Sequence, residues 1–188
     1  MLSAHLSHFL DAPLSALAKR IPVSPNFLTV AGFLITLSAA LIIPYNIKLG
    51  GICILFGGIF DMLDGIVART SGKTTKFGAF LDSVLDRYSD AFLFLSISYY
   101  LAADGNHAGS FLSLGTLVGA FLISYARARA EGIGESCHTG IMERPERIIL
   151  LIFATLTGWL VPVLWIMLVL THITVVQRIY HVWKKLKC

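Results

Sequence analysis

The chain has 188 residues, of which 56% are hydrophobic and 14% charged, with a formal net charge of +4. Soluble domains carry about 25% charged residues, so the composition excludes an ordinary soluble domain and points to a polytopic helical membrane protein. The modest positive charge comes with no stacking or RNA-binding motif, which argues against a nucleic-acid partner. The apolar runs are continuous rather than alternating, which argues against a β-barrel. Cys53, Cys137 and Cys188 are scattered without ligand spacing, so they suggest neither a disulfide framework nor a zinc site.

In residues 1–20, Leu2, Leu6, Phe9, Leu10, Leu14 and Leu17 recur at helical spacing, with Lys19 and Arg20 at the end. This stretch is too short and polar to span, and it predicts an amphipathic helix at the membrane interface. It lacks the basic start and small-residue cleavage site of a removable signal peptide. Pro22 and Pro25 break the chain. Apolar periodicity then predicts spans over about 26–45, 49–69, 77–102 and 109–131. Residues 148–176 form one apolar run. As a single helix it would be about 44 Å long, against a hydrocarbon core of about 30 Å. Gly158 and Pro162 divide it into a fifth span, about 143–158, and a sixth, about 161–184.

Charge placement agrees with six spans. Arg69, Lys73, Lys76, Arg144, Arg147 and the tail Lys184, Lys185 and Lys187 then share the cytoplasmic side with Lys19 and Arg20, as the positive-inside rule requires. Only Lys48 is left outside. The expected fold is all-α, a polytopic membrane protein forming one domain over 1–188: an N-terminal interfacial helix, 1–20, and a bundle of six transmembrane helices, 26–184. No internal repeat is evident. His138 and Cys137 read as solvated loop residues, and Trp159, Trp165 and Trp183 fit interfacial or packing roles.

The chemistry concentrates between Asp61 and Asp86. Asp61 and Asp64 are three apart and Asp82, Asp86 and Asp90 four apart, so each set lies on one helix face. Gly65 and Ala68 are small and permit close approach of a backbone or ligand. The short basic loop between the spans makes them antiparallel neighbours, which brings the two acid pairs together at similar depth. Intramembrane carboxylates cost a few kcal/mol each, at about 2.5–3.5 kcal/mol on insertion scales. Three compensations stay open from the residues alone. The carboxylates could pair with Arg69 and Arg87. They could line a cation or proton pathway. They could also hold hard divalent cations beside substrate phosphates, a metal-dependent phosphotransferase site.

The order Asp61-x2-Asp64-Gly65-x2-Ala68-Arg69-x8-Gly78-x3-Asp82-x3-Asp86 resembles the signature of the CDP-alcohol phosphotransferase family (CDP-alcohol phosphatidyltransferases), with every fixed position filled. The six-span hydropathy extends the likeness over essentially the whole chain. The resemblance implies transfer of a phosphatidyl-type group from a CDP-linked lipid, CDP-diacylglycerol or CDP-archaeol, to an alcohol, with release of CMP. It implies Mg2+ or Mn2+, two ions, held by Asp61, Asp64, Asp82 and Asp86, with Asp86 also the general base. It places Asn26, Thr29, Asp61, Gly65, Arg69, Thr75, Lys76 and Gly78 at the donor. Gly65 and Gly78 would leave room for the cytosine. Helix capping is the other reading of Asn26 and Thr29. Family members are commonly homodimers in the cytoplasmic membrane, with the active site facing the cytoplasm.

A second constellation, Tyr125-Ala-Arg127-Ala-Arg129-Ala-Glu131 with Glu143-Arg144-Pro-Glu146-Arg147, is rich in Arg. Arg suits forked recognition of phosphate, although a positive-inside collar would look the same. This stretch resembles the phosphatidylinositol-phosphate synthase branch and its archaeal counterparts, whose acceptor is inositol phosphate. Arg127, Arg129, Arg147 and Arg178 would then bind the acceptor phosphate. The branch has Lys where this chain has Arg127, a change that keeps the charge. Glycerol 3-phosphate is the alternative acceptor, and a cation-handling transport protein the alternative from another class.

Overall fold

The computed structural model describes residues 24–70, 72 and 74–187. The expected interfacial helix of residues 1–20 lies outside them, as do Lys73 and Cys188. The described residues form six helices and no strand. They are α1 (Pro25–Ile42), α2 (Ile47–Thr70), α3 (Lys76–Ala103), α4 (His107–Glu131), α5 (Arg144–Thr157) and α6 (Leu160–Leu186). Four of them, α1, α2, α4 and α6, are long and apolar enough to cross a membrane. α5 has 14 residues, and α3 carries Asp82, Asp86, Arg87 and Asp90 along its first half.

The sequence punctuates these helices where local chemistry demands it. Pro25 sits in the first turn of α1, where its missing N–H matters least. Asn46, Thr75 and Asn106 accept the backbone N–H of Leu49, Gly78 and Gly109, at 3.0, 2.9 and 2.8 Å, so each satisfies an orphan donor at a helix start. Gly158, at φ 81°, ends α5 in the left-handed conformation that suits glycine. The apolar run 148–176 is thereby divided at Gly158, and α6 begins two residues later.

The helices close into a ring. α1 packs on α2 and α3, α2 on α5, α5 on α6, α6 on α4, and α4 on α3. The main core lies across α3, α4 and α6, where Leu93, Phe94, Ile97, Ala120, Leu164 and Met167 are buried. Hydroxyls tie α3 to α4 and to α1: Ser113 donates to the Phe94 carbonyl at 2.7 Å, Ser98 pairs with Ser110 at 2.7 Å, and Ser96 donates to the Ala40 carbonyl. A β-carbon on Gly32 would stand 3.2 Å from that of Phe60, so α1 and α2 approach through small residues, as membrane helices do.

The expectation that α2 and α3 are close neighbours needs refinement. They make no extensive direct contact, because α1 packs against both. Their backbones diverge while their carboxylates converge, which leaves room for a site between them. The connection between α4 and α5 also differs from a solvated loop. Cys137 is fully buried, Met142 N–H donates to the Thr174 hydroxyl at 3.1 Å, and Arg178 Nε donates to the Thr139 carbonyl at 2.9 Å. The loop is fastened to α6, and only His138 of the Cys137–His138 pair is exposed.

Candidate active site

Asp61 and Asp64 come from α2 and Asp82 from α3. One carboxylate oxygen of each lies within 4.8 Å of the others. Asp64 is 6% exposed, and its Oδ2 is buried with no hydrogen-bond partner. Buried polar atoms are nearly always satisfied, so three converging carboxylates and one orphaned oxygen fit a hard divalent cation, which takes oxygen ligands. The donor set is right for Mg2+ or Mn2+.

A cavity of about 190 Å³ opens beside these acids. Asn26 and Thr29 of α1, Gly65, Ala68 and Arg69 of α2, Thr75 before α3 and Gly78 on it line this space, together with Asp64 and Asp82. Of the positions assigned to the donor by sequence, two do not line it: Lys76 is exposed at the start of α3, and Asp61 lines a neighbouring cavity. Two glycines set the cavity's width. A β-carbon on Gly78 would lie 2.9 Å from Asn26 Oδ1 and 3.0 Å from Thr75 Oγ1, and one on Gly65 would lie 3.3 Å from Arg69 Nη1. Asn26 and Thr29 do not cap α1: Ser24 holds the cap position, and Thr29 donates to the Pro25 carbonyl at 3.1 Å.

A second, larger cavity of about 450 Å³ starts at Asp61 and Asp86 and runs between α1, α2, α3 and α5. Its far walls are apolar, with Phe33, Leu55, Ile59, Ile148, Ile149 and Ile152. A polar end at the acids and an apolar body suit an amphiphile better than a free sugar or ion.

Asp86 is placed by a residue that the motif does not contain. Arg144 Nη1 lies 2.6 Å from Asp61 Oδ2 and 2.8 Å from Asp86 Oδ1. Arg87 is a distant partner of Asp86, at 3.8 Å, and donates instead to the Ser83 carbonyl at 2.5 Å. Arg144 is 83 residues from Asp61 in sequence. Nothing in local spacing shows that contact, although the basic residue sits directly before a helix-starting proline.

The four arginines assigned to an acceptor phosphate have different surroundings. Arg147 is 2% exposed and donates to Asp90 Oδ2 at 2.6 Å. Arg178 donates to the carbonyls of Ile123 and Thr139, at 2.7 and 2.9 Å, and lies 3.6 Å from Glu143. Arg127 pairs with Glu131 at 2.9 Å on the surface of α4, and Arg129 is exposed. Arg178 thus reaches Ile123, one turn before Arg127, and Glu143, one turn before Arg147. Three guanidinium groups therefore gather at one end of α4, α5 and α6.

The profile of the CDP-alcohol phosphatidyltransferases matches residues 22–177. The archaetidylinositol phosphate synthase of Pyrococcus horikoshii is 40% identical over 180 residues, which cover 93% of this chain and 93% of that one. A crystal structure of Mycobacterium tuberculosis phosphatidylinositol phosphate synthase with CDP-DAG bound superposes with a TM-score of 0.82 at 32% identity, covering 92% of this chain and 93% of the other. The complex of that protein with manganese and citrate also gives 0.82 at 32% identity, over 92% of this chain and 88% of the other.

Proposed function

The chain belongs to the CDP-alcohol phosphatidyltransferase family, and from that premise we propose that it transfers a phosphatidyl-type group from a CDP-linked lipid to a hydroxyl of inositol phosphate, releasing CMP. The observation that carries this reading is the convergence of Asp61, Asp64 and Asp82 from two helices beside the narrow glycine-walled cavity. Mg2+ or Mn2+, as two ions, neutralises the donor diphosphate and stabilises the departing oxygen when bound. Asp61, Asp64, Asp82 and Asp86 are the residues that would hold them.

This chain's own side chains supply the rest. The nucleotide occupies the cavity between Gly65 and Gly78, where Asn26, Thr29, Arg69 and Thr75 contact its sugar and phosphates, with Lys76 at the rim. The lipid enters the apolar cavity between α2 and α5 from the bilayer. The acceptor hydroxyl attacks the lipid-side phosphorus, the phosphoanhydride bond breaks, and CMP leaves with the bridging oxygen. The hydroxyl proton passes to Asp86, which faces the acids from α3. The gathered charge of Arg127, Arg147 and Arg178, with Arg129 nearby, supports a phosphorylated rather than a neutral acceptor, because forked guanidinium groups match phosphate.

In this reading residues 1–188 form one membrane domain. All six helices cross the cytoplasmic membrane with the acids facing the cytoplasm, and the chain works as a homodimer. α5 is short for a span, about 21 Å at 1.5 Å per residue, and Arg144 at its start contacts Asp61 and Asp86. CMP release from CDP-diacylglycerol and CDP-archaeol by the purified protein, screened across inositol phosphate, glycerol 3-phosphate, serine and inositol, tests the reaction. Turnover with inositol phosphate is expected. A preference for glycerol 3-phosphate or an unphosphorylated alcohol overturns the acceptor assignment.

A further inference from the structure

Arg144 has an odd position for a cation. It is the first residue of α5, and a helix N-terminus carries partial positive charge that disfavours another. The first turn is instead matched by Glu146. Pro145 fixes the backbone there, while the Arg144 side chain is 20% exposed and its Nε is buried without a partner. The helix therefore does not account for the guanidinium; the two carboxylates do. A single nitrogen, Nη1, reaches Asp61 Oδ2 from α2 and Asp86 Oδ1 from α3.

These are two of the four acids to which the reading above gives the divalent ions. A divalent cation on these carboxylates would stand close to the Arg144 guanidinium, and two positive charges that near each other compete for the same acids. Asp64 and Asp82 are different. Neither makes an ion pair among the described residues, and both remain grouped with Asp61. The cluster thus divides into a side open to a cation, at Asp64 and Asp82, and a side clasped by Arg144, at Asp86.

We propose that Arg144 is a positioning residue that holds Asp86 toward Asp61 and competes with a divalent cation for Asp86. Asp61, Asp64 and Asp82 would hold the first ion. Asp86 would become available to a second ion only when Arg144 releases it. The competition keeps Asp86, the proton acceptor, from being bound before the site is charged with its ligand, since the donor diphosphate supplies both the extra oxygens for a second ion and an anion for the displaced guanidinium. This inference rests on the metal assignment of the proposed function.

The test is Mn2+ titration of the detergent-purified full chain, followed by the electron paramagnetic resonance of free Mn2+ and by calorimetry, without donor or acceptor. Wild type should bind one ion more tightly than the other. In Arg144→Gln the weaker ion should bind about tenfold tighter or more, the scale of one charge-assisted hydrogen bond removed from a competitor, while Arg144→Lys lies between. In an Asp86→Asn background the Arg144→Gln change should leave the affinity unaltered, a coupling that a merely structural residue would not show. Weaker or unchanged Mn2+ binding in Arg144→Gln overturns the competition while leaving the metal site standing. Failure of the wild type to bind Mn2+ overturns both. Should Arg144→Gln not fold, Arg144→Lys carries the test, and an affinity for the weaker ion equal to wild type overturns the proposal.

Discussion

Arg147 and Asp90 form a buried ion pair at 2.6 Å, with side chains 2% and 3% exposed. Asp90 Oδ1 and Arg147 Nε have no hydrogen-bond partner, and Arg147 Nη1 makes only a long contact, 3.5 Å, to the Met142 carbonyl. Asp90 therefore depends on Arg147 for compensation. Replacing Arg147 by Met leaves a buried carboxylate alone, and removing one partner of such a pair destabilises by about 3–5 kcal/mol. For a chain of this length about 1 kcal/mol moves the unfolding midpoint by about 2–4 °C, so Arg147→Met should unfold about 6–20 °C lower in detergent. The double variant Asp90→Leu/Arg147→Met removes both charges and should recover most of that loss, because a well-packed apolar pair is often neutral or better than a buried ion pair. Thermal unfolding of the three proteins, read by tryptophan fluorescence, checks this. An Arg147→Met protein within a degree or two of wild type, or a double variant no better than the single, refutes the account of Arg147 as an anchor between α3 and α5. The double variant also isolates the acceptor role. If it folds but its KM for inositol phosphate rises alone, Arg147 both anchors the helix and reaches the phosphate.

Asp86→Asn should slow turnover about 10²- to 10⁴-fold, the range of general-base catalysis, with CDP-lipid affinity retained; loss of donor binding in parallel would make Asp86 mainly a metal ligand. Gly78→Ala places a β-carbon 2.9 Å from Asn26 Oδ1 and 3.0 Å from Thr75 Oγ1, so it should raise the donor KM and leave the acceptor KM alone; equal KM values would mean that the nucleotide lies elsewhere. Arg129→Ala should raise the KM of inositol phosphate by about 10- to 100-fold, the scale of one lost charge-assisted hydrogen bond, which separate titrations of donor and acceptor detect. An effect on the donor alone would return Arg129 to a topological collar.

What the sequence made legible is what acts over short range. Asp61 and Asp64, and Asp82 and Asp86, share helix faces by spacing alone, and Gly158 ends a helix through its own backbone freedom. The motif's glycines were readable because a β-carbon at Gly78 meets neighbours contributed by Thr75, three residues away, and by Asn26. Long-range partners were not readable. Arg144 reads as one more basic loop residue until the fold places it between Asp61 and Asp86. Arg147 looks like a phosphate ligand because Arg suits phosphate, but its bond to Asp90 spans 57 residues. Cys137 looked solvated because its neighbours are polar, whereas the loop's hydrogen bonds to Thr174 and Arg178 fasten it onto α6. The helix over about 77–102 was readable as well, although the acids of α3 interrupt its apolar signal at the place where the site is built.

The central claim is that carboxylates from α2 and α3 hold the divalent ions required for transfer from a CDP-linked lipid to inositol phosphate. Its most direct test is CMP release by the purified chain with both substrates saturating, first in a chelator and then with Mg2+ or Mn2+ restored, in wild type and in Asp61→Asn, Asp64→Asn and Asp82→Asn. The account predicts no release in the chelator, full recovery in wild type on adding metal, and no recovery in any of the three variants although each still inserts into membranes. Undiminished release in the chelator, or a metal-restored rate near wild type in any of the variants, would contradict it.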